Sequence, residues 1–154
     1  MQEEVQSGQF HLNIKKVRLT AFRINQVVEA PSPPLQKINM QQIISYSLED
    51  LAITLELTIS FSTPEDVLFM EGTSQNVFSV LELHRMVVSE NKDLINIPDN
   101  ILVMLLSISI SHTRALMSQS ALGTKFQDII IPIVNPGELM SKISPPIVTK
   151  IAES

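Results

Sequence analysis

Residues 51–62 read LAITLELTISFS, and this stretch decides the fold more than any other part of the chain. Apolar residues alternate with small or polar ones throughout it, and the apolar set is Leu51, Ile53, Leu55, Leu57, Ile59 and Phe61. A period of two over this length predicts a β-strand with one apolar and one polar face. Strands of this kind belong to antiparallel sheets that are covered on one side. The following TPED, residues 63–66, predicts a turn with proline at its second position.

Two further extended segments flank this strand in the sequence. The first is predicted over residues 17–28 and ends at EAPSPP, residues 29–34, because prolines cannot donate a backbone N–H to a ladder. The second is predicted over residues 67–88, with a bulge or bend near Gly72. The intervening QKINMQQIISYS, residues 36–47, has no firm period and predicts no element by itself.

A long helix is predicted from IPDNIL, residues 97–102, to Gly123. Pro98 precedes its start, Asp99 or Asn100 can cap it, and Gly123 supplies a left-handed stop. The distance from cap to glycine excludes a strand, since strands rarely exceed about 10 residues. The residues that recur at helical spacing and are expected to face the core are Ile101, Leu105, Ile108, His112, Ala115 and Leu122.

The chain after Gly123 predicts a closing segment. Residues 124–128 read as a connector, and IIIPIV, residues 129–134, as a buried extended run. Asn135 can cap a short second helix with Pro136 at its first position. That helix is expected to turn three side chains inward, namely Leu139, Met140 and Ile143.

Strands followed by helices indicate the α+β class, with the helices on one face of an antiparallel sheet. We expect a single domain over residues 10–143, with flexible tails at residues 1–9 and 144–154. A chain of 154 residues suits one domain, and 44% hydrophobic residues exclude a disordered chain. Only 18% of residues are charged, which indicates buried interfaces with other subunits or apolar partners.

The charge and the cysteine count exclude several classes of function. A net charge of −5 argues against nucleic acid as a partner, because a phosphate surface needs clustered Lys and Arg. The absence of cysteine excludes disulfides and thiolate metal sites. The start, MQEEVQSGQF, lacks the features of a secretory signal, and the longest apolar run, residues 101–110, is about half a membrane span. A cytoplasmic protein without membrane insertion is expected.

No constellation of residues predicts catalysis. The histidines His11, His84 and His112 lack metal-ligand spacing, and His112 is expected to be a hydrogen-bonded histidine at a helix interface. No serine has a nucleophile-elbow context, and no glycine cluster forms a phosphate cradle. We therefore expect no catalytic residue, no metal, no cofactor and no enzyme activity.

Four stretches, in order and spacing, give the chain a resemblance to a known family. They are VVEAPSPP at 27–34, VLFMEGTSQNVFSV at 67–80, IPDNIL at 97–102 and ALGTKFQDIIIPIVNPGELM at 121–140. Over about residues 17–143 the chain resembles the bacterial SecB chaperones and their SecB-like relatives. The resemblance implies a four-stranded antiparallel sheet with a long helix and a short C-terminal helix on one face. It also implies a dimer of dimers with the long helices buried between sheets, and ATP-independent binding of non-native polypeptides along apolar grooves.

In the export chaperone, an acidic patch on the sheet passes the client to the SecA motor. Two of the family's acidic positions match Glu29 and Glu71, whereas a third falls on Asn25. The aromatic residues of the family's crossing segment are replaced by Leu35 and by Asn39 or Met40. These departures weaken the expectation of SecA as a partner more than they weaken the expected fold.

The resemblance and the composition leave several functions open. Methionines and phenylalanines can line a surface for varied apolar partners, although core packing is the better interpretation for any single one. By apolar character alone, the candidates for a client groove are Leu35, Met40, Phe61, Phe69 and Phe78. The first hypothesis is a general holdase, for which protein export is one candidate role. The second is a chaperone dedicated to one client, such as an antitoxin. A structural or adaptor role follows, and an enzyme ranks lowest.

Overall fold

The computed structural model describes residues 10–32, 35–88, 91–129, 131, 135, 138 and 147–150. Its main elements are seven strands and one long helix: β1 Leu12–Ile24, β2 Lys37–Ser47, β3 Ala52–Ser62, β4 Leu68–Val80, β5 Val87–Val88, β6 Asn91–Ile95, α1 Asp99–Ser120 and β7 Ile147–Lys150. The main sheet has the order β1-β4-β3-β2-β7, and β5 pairs with β6 in a separate small ribbon. The pairs among β1 to β4 are all antiparallel, which confirms the predicted four-stranded sheet.

The alternating stretch forms β3, as predicted, and lies in the middle of the sheet. Its inward side chains are fully buried, and they are Ile53, Leu55, Leu57, Ile59 and Phe61. Register places β4 residues beside them, with Phe78 opposite Ile53 and Met70 opposite Phe61. Burial of this apolar face against α1 favours folding by about 25 cal/mol per Å² of apolar surface.

Residues 36–47 predict no element by their pattern, and the structure of β2 explains why. Gln42 lies on the buried face of the sheet opposite Leu57, whereas Ile43 is half exposed on the outer face opposite Glu56. One polar residue inside and one apolar residue outside remove the period of two from this strand.

The bounds of β1 and β4 differ from the prediction. β1 begins five residues earlier than expected and has two bulges, between Ile14 and Lys16 and between Leu19 and Ala21. The extended segment predicted over residues 67–88 is interrupted by a 3₁₀ turn at Leu83–Met86. The break predicted near Gly72 does not divide the segment, since β4 is continuous through this residue. The bulge in this region belongs to β1, where Leu19 pairs with Ser74 and Ala21 with Thr73.

Gly72 is required for close packing of the helix. A Cβ at this position would lie 2.5 Å from Cγ of the buried Met117 on α1. The absence of a side chain therefore lets the C-terminal half of α1 approach the sheet.

Helix α1 is confirmed, with differences at its start and along its buried face. Pro98 is at the N-cap position without a side-chain cap, so the predicted cap by Asp99 or Asn100 is wrong. Gly123 has φ of 79°, the predicted left-handed stop. The buried set is Ile101, Leu102, Leu105, Leu106, Ser109, Ile110, Thr113 and Met117. Leu122, by contrast, is 68% exposed and Ala115 is exposed, because the true stripe is rotated toward Ser109 and Thr113.

By length and apolar composition alone, α1 meets the requirements of a membrane span, and core helices of globular proteins pass the same test. Here α1 packs on β1, β3 and β4. The connector after it contributes Phe126 to the core, where its ring stacks on Phe69 with 5.4 Å between centroids.

The C-terminal part departs from the expected flexible tail at residues 144–154. Ile147–Lys150 form β7, which pairs in parallel with β2 and adds a fifth strand to the sheet. Ile131 of the predicted buried run is buried. The predicted second helix, including its inward residues Leu139, Met140 and Ile143, falls mostly outside the described residues and stays a prediction. Residues 1–9 also lie outside them.

Candidate polypeptide-binding surface

Strand β1 forms one edge of the sheet and is strongly basic. It carries Lys15, Lys16, Arg18 and Arg23 and has no acidic residue, although the whole chain has a net charge of −5. This concentration of cations, named the basic edge below, was available in the sequence as a charge pattern. It was missed because the sequence does not indicate that β1 lies at an edge.

The register of β1 on β4 separates its side chains onto two faces. Lys16 lies opposite Val77, Arg18 opposite Gln75 and Arg23 opposite Glu71, so these cations project from the outer face. The large apolar residues of β1 lie toward α1, and Ile14 is opposite Phe78 there. The edge therefore has one cationic side and one apolar side.

The cations of the basic edge differ in their partners. A guanidinium nitrogen of Arg23 lies 2.9 Å from the Glu71 carboxylate, which also accepts a hydrogen bond of 2.8 Å from Ser60. Arg18 donates to the neutral Gln75 side chain at 2.8 Å. Lys15 and Lys16 are exposed and have no carboxylate partner among the residues that the structure describes. Unneutralised positive charge thus remains at the N-terminal half of β1.

An apolar cleft of about 270 Å³ lies between this half of β1 and helix α1. It is named the β1–α1 cleft and is lined by Leu12, Asn13, Ile14, Phe78, Met104, Leu105 and Ile108. Ile14 is 53% exposed and Met104 44% exposed at its rim, while the buried Phe78 forms its floor. Large apolar side chains exposed beside an open strand edge are typical of surfaces that bind extended polypeptides.

Most of the residues predicted to line a client groove lie elsewhere. Met40, Phe61 and Phe69 are buried in the core beneath α1, and Phe78 is exposed only through the floor of the β1–α1 cleft. Leu35 is 58% exposed in the connection between β1 and β2. The prediction is therefore corrected for the buried residues. The strand period that made Met40 and Phe61 apolar also places them on the covered face of the sheet. Phe69 lies at an irregularity of β4 and is buried by its contacts with the rings of Phe61 and Phe126.

The two acidic positions contact different partners. Glu29 is highly exposed and lies 3.2 Å from Nζ of Lys125. Glu71 is partly buried between Arg23 and Ser60. A cation lies beside each carboxylate, so the local surface is close to neutral at both positions.

A buried polar network joins the sheet to the helix. Asn76 donates to the Leu55 carbonyl at 3.2 Å and to Ser74 Oγ at 2.9 Å, and its Oδ1 lies 3.0 Å from Nδ1 of His112. The Ser74 hydroxyl lies 2.6 Å from that of Thr113. The prediction that His112 is a hydrogen-bonded interface histidine is confirmed. Because these bonds form in only one alignment, the network fixes the position of α1 along the sheet.

A second, larger depression of about 730 Å³ lies against the exposed side of α1. Its lining mixes small, polar and apolar residues, including Ile129 and Ile131, and Arg114 there already donates to the Ile131 carbonyl at 3.0 Å. In the described part of the chain, no three His, Asp or Glu side chains gather in a way that could hold a metal ion.

The start of β1 is held by Glu82, which follows β4. Its carboxylate accepts a hydrogen bond of 2.8 Å from the backbone N–H of His11 and contacts the His11 ring at Nδ1. The side-chain hydrogen bond, followed by the backbone one, lowers the pKa of Glu82 below its ordinary value. The contact therefore favours the ionised carboxylate in the folded protein.

Replacement Glu82→Gln is expected to change how stability depends on pH. A lowered folded pKa contributes stability above the ordinary glutamate pKa, and this contribution is lost as the pH falls through the folded value. The urea midpoints of wild type and variant should therefore differ most near pH ~7 and converge toward pH ~3. A difference that stays constant across this range would show that the carboxylate charge is not involved.

The architecture described above, a four-stranded antiparallel sheet with a long helix across one face, is the SecB-like fold. Among solved structures, the chain is similar to the Mycobacterium tuberculosis SecB-like chaperone Rv1957, which was solved in complex with a ChAD peptide from the HigA1 antitoxin. The match has a TM-score of 0.55 and 9% identity, and covers 80% of this chain and 90% of that one. At this identity the likeness shows the fold alone.

A second similar structure is a protein of unknown function from Streptococcus agalactiae. It has 8% identity and a TM-score of 0.39 over 82% of this chain and 99% of that one, which is too low to support an argument. No protein-family profile and no curated protein sequence matches the chain.

Proposed function

We propose that the protein is an ATP-independent chaperone that binds non-native polypeptide segments at the β1–α1 cleft. The observation that carries this proposal is the SecB-like fold, shared with a chaperone that was solved with a peptide bound. The exposed apolar rim of the cleft, at Ile14 and Met104, supports it from this chain's own surface.

The cleft offers two sources of affinity without catalysis. Apolar client side chains gain about 25 cal/mol for each Å² that they bury against Ile14, Met104 and Phe78. The outer edge of β1 offers backbone N–H and C=O groups to an added strand, whatever its side chains. Neither source requires nucleotide, metal or cofactor.

Assembly as a homo-oligomer, a dimer of dimers, belongs to the same proposal. Several clefts in one assembly would raise the effective concentration of each site for a long client. A cytoplasmic location is also part of the proposed function. Transfer of clients to SecA for export is a finer proposal, in which Glu29 and Glu71 remain the candidate contacts. It needs a direct binding titration, because Arg23 and Lys125 already lie beside these carboxylates.

A second candidate function is a chaperone dedicated to one client, such as an antitoxin. It is favoured by the similarity to a chaperone that was solved with an antitoxin peptide. The two candidates differ in client range: a general holdase suppresses aggregation of unrelated proteins, whereas a dedicated one does not.

The proposal is tested by light scattering from an unfolding model protein, without nucleotide, at about one oligomer per client. Wild type is expected to suppress aggregation, because the cleft buries exposed apolar segments of the client. The double variant Ile14→Asn and Met104→Asn should lose most of this suppression, since it makes the cleft rim polar.

The matched control is Val27→Asn and Leu122→Asn, which changes two exposed apolar residues outside the cleft lining. Circular dichroism confirms that each variant folds. Equal losses of aggregation suppression in both double variants would show that the cleft is not the client-binding site. If wild type gives no suppression at several-fold excess, the general holdase is wrong and the dedicated chaperone takes first place.

A further inference from the structure

We infer that the segment bound at the basic edge is an extended strand in which apolar and acidic residues alternate. The inference rests on the proposed function and names the class of client. It begins from an imbalance of charge, since β1 gathers four cations and no acid in a chain whose net charge is −5. Arg23 has Glu71 as its partner, which leaves Lys15, Lys16 and Arg18 for an external anion.

The side-chain directions of β1 determine the pattern of its partner. An added strand places its residues directly opposite those of β1, on the same faces of the sheet. Residues opposite Lys16 and Arg18 would project from the outer face, where a carboxylate meets a cation. The residue between them would lie opposite Val17, on the face toward α1. On the N-terminal side of the bulge after Ile14, the same face continues into the β1–α1 cleft, which accepts apolar side chains. Alternation of acidic and apolar residues satisfies both faces at once.

A simpler interpretation of the same residues is protection of the edge. Lysines and bulges on edge strands prevent unwanted pairing of sheets, and β1 has both, with bulges between Ile14 and Lys16 and between Leu19 and Ala21. These cations also oppose pairing with a second copy of β1, because like charges in facing strands repel. Repulsion of basic strands, together with the lack of a countercharge on neutral ones, would also make the edge selective for an acidic strand. The two interpretations therefore differ only in whether such a strand binds.

The test uses fluorescence anisotropy with two labelled peptides of ten residues. One alternates leucine and glutamate, and the other alternates leucine and lysine. The glutamate peptide is expected to bind at least about tenfold more tightly, and more weakly as salt rises from about 50 to 500 mM. The double variant Lys16→Glu and Arg18→Glu should reverse the preference.

The matched control is Lys37→Glu and Lys125→Glu, which makes the same change in net charge on β2 and on the segment after α1. It should leave the preference for the glutamate peptide unchanged. Both substituted lysines have single, solvent-accessible ion pairs, so the control is expected to fold.

Four outcomes would overturn the inference. Equal affinity for both peptides, or no binding, would mean that the charges only protect the edge. A change of oligomer size in the β1 variant would mean that a second copy occupies the edge. Tight binding of a single-stranded oligonucleotide that is lost in the β1 variant would mean a phosphate-binding surface. Aggregation suppression without any preference for the acidic peptide would overturn this inference alone, whereas loss of suppression would overturn the proposed function.

Discussion

Replacing Phe126 by alanine is expected to lower the free energy of unfolding by about 3–5 kcal/mol. The ring is fully buried and stacks on Phe69, which in turn packs against Phe61 at 6.1 Å between centroids. Removing the ring deletes its apolar burial and leaves a cavity that the sheet cannot fill. Urea denaturation followed by circular dichroism measures the change, at one fixed protein concentration because assembly alters apparent stability.

The control for Phe126 is Leu122→Ala, four residues earlier in the same connection. Leu122 is largely exposed, so its loss should cost no more than about 0.5 kcal/mol. A cost below about 1 kcal/mol for Phe126→Ala would contradict its place in the core.

Replacing Asn76 by alanine is expected to cost about 2–3 kcal/mol, the second largest effect. The substitution removes one side chain that bonds Leu55, Ser74 and His112 at once, and leaves buried polar groups without those partners. The same denaturation experiment measures the loss. Asn39→Ala, on the exposed face of β2, is the matched control and should change stability by less than about 0.5 kcal/mol.

A double-mutant cycle with His112→Ala then tests whether the network acts as a unit. Asn76 and His112 should show a coupling energy of about 0.5–3 kcal/mol, because each single replacement already breaks their shared contact. Strictly additive losses would show that His112 contributes only its packing.

The central part of the fold could be predicted because its residues follow a strict period. Residues 51–62 show this most clearly, since every inward position of β3 is apolar. Where polar groups are buried, the same reasoning fails. The buried Gln42 breaks the period of two in β2, so that strand could not be predicted. The burial of Ser109 and Thr113 places the buried face of α1 away from the stripe predicted through Leu122. Thr113 is inside because its hydroxyl meets that of Ser74 on the sheet face, a long-range contact that no local pattern contains.

The candidate site could be predicted less well than the fold. Apolar character alone pointed to Phe61 and Phe69, which are apolar because they are core residues. The cleft depends instead on β1 lying beside β4 and across from Met104, a pairing of segments about ninety positions apart. The basic residues of β1 were visible in the sequence, but only the strand order makes them an edge.

Strand β7 gives the sheet an asymmetry with a consequence for self-association. It pairs with only four residues of β2, Ile43–Tyr46, and becomes the second rim of the main sheet opposite β1. In the terms of polymer chemistry, such a sheet is a monomer with two unequal reactive ends: β1 offers 13 residues for pairing and β7 offers four. A very short edge strand gives an added strand few backbone hydrogen bonds. Growth of a fibril needs both ends, so the short β7 rim limits propagation through stacked copies of this sheet.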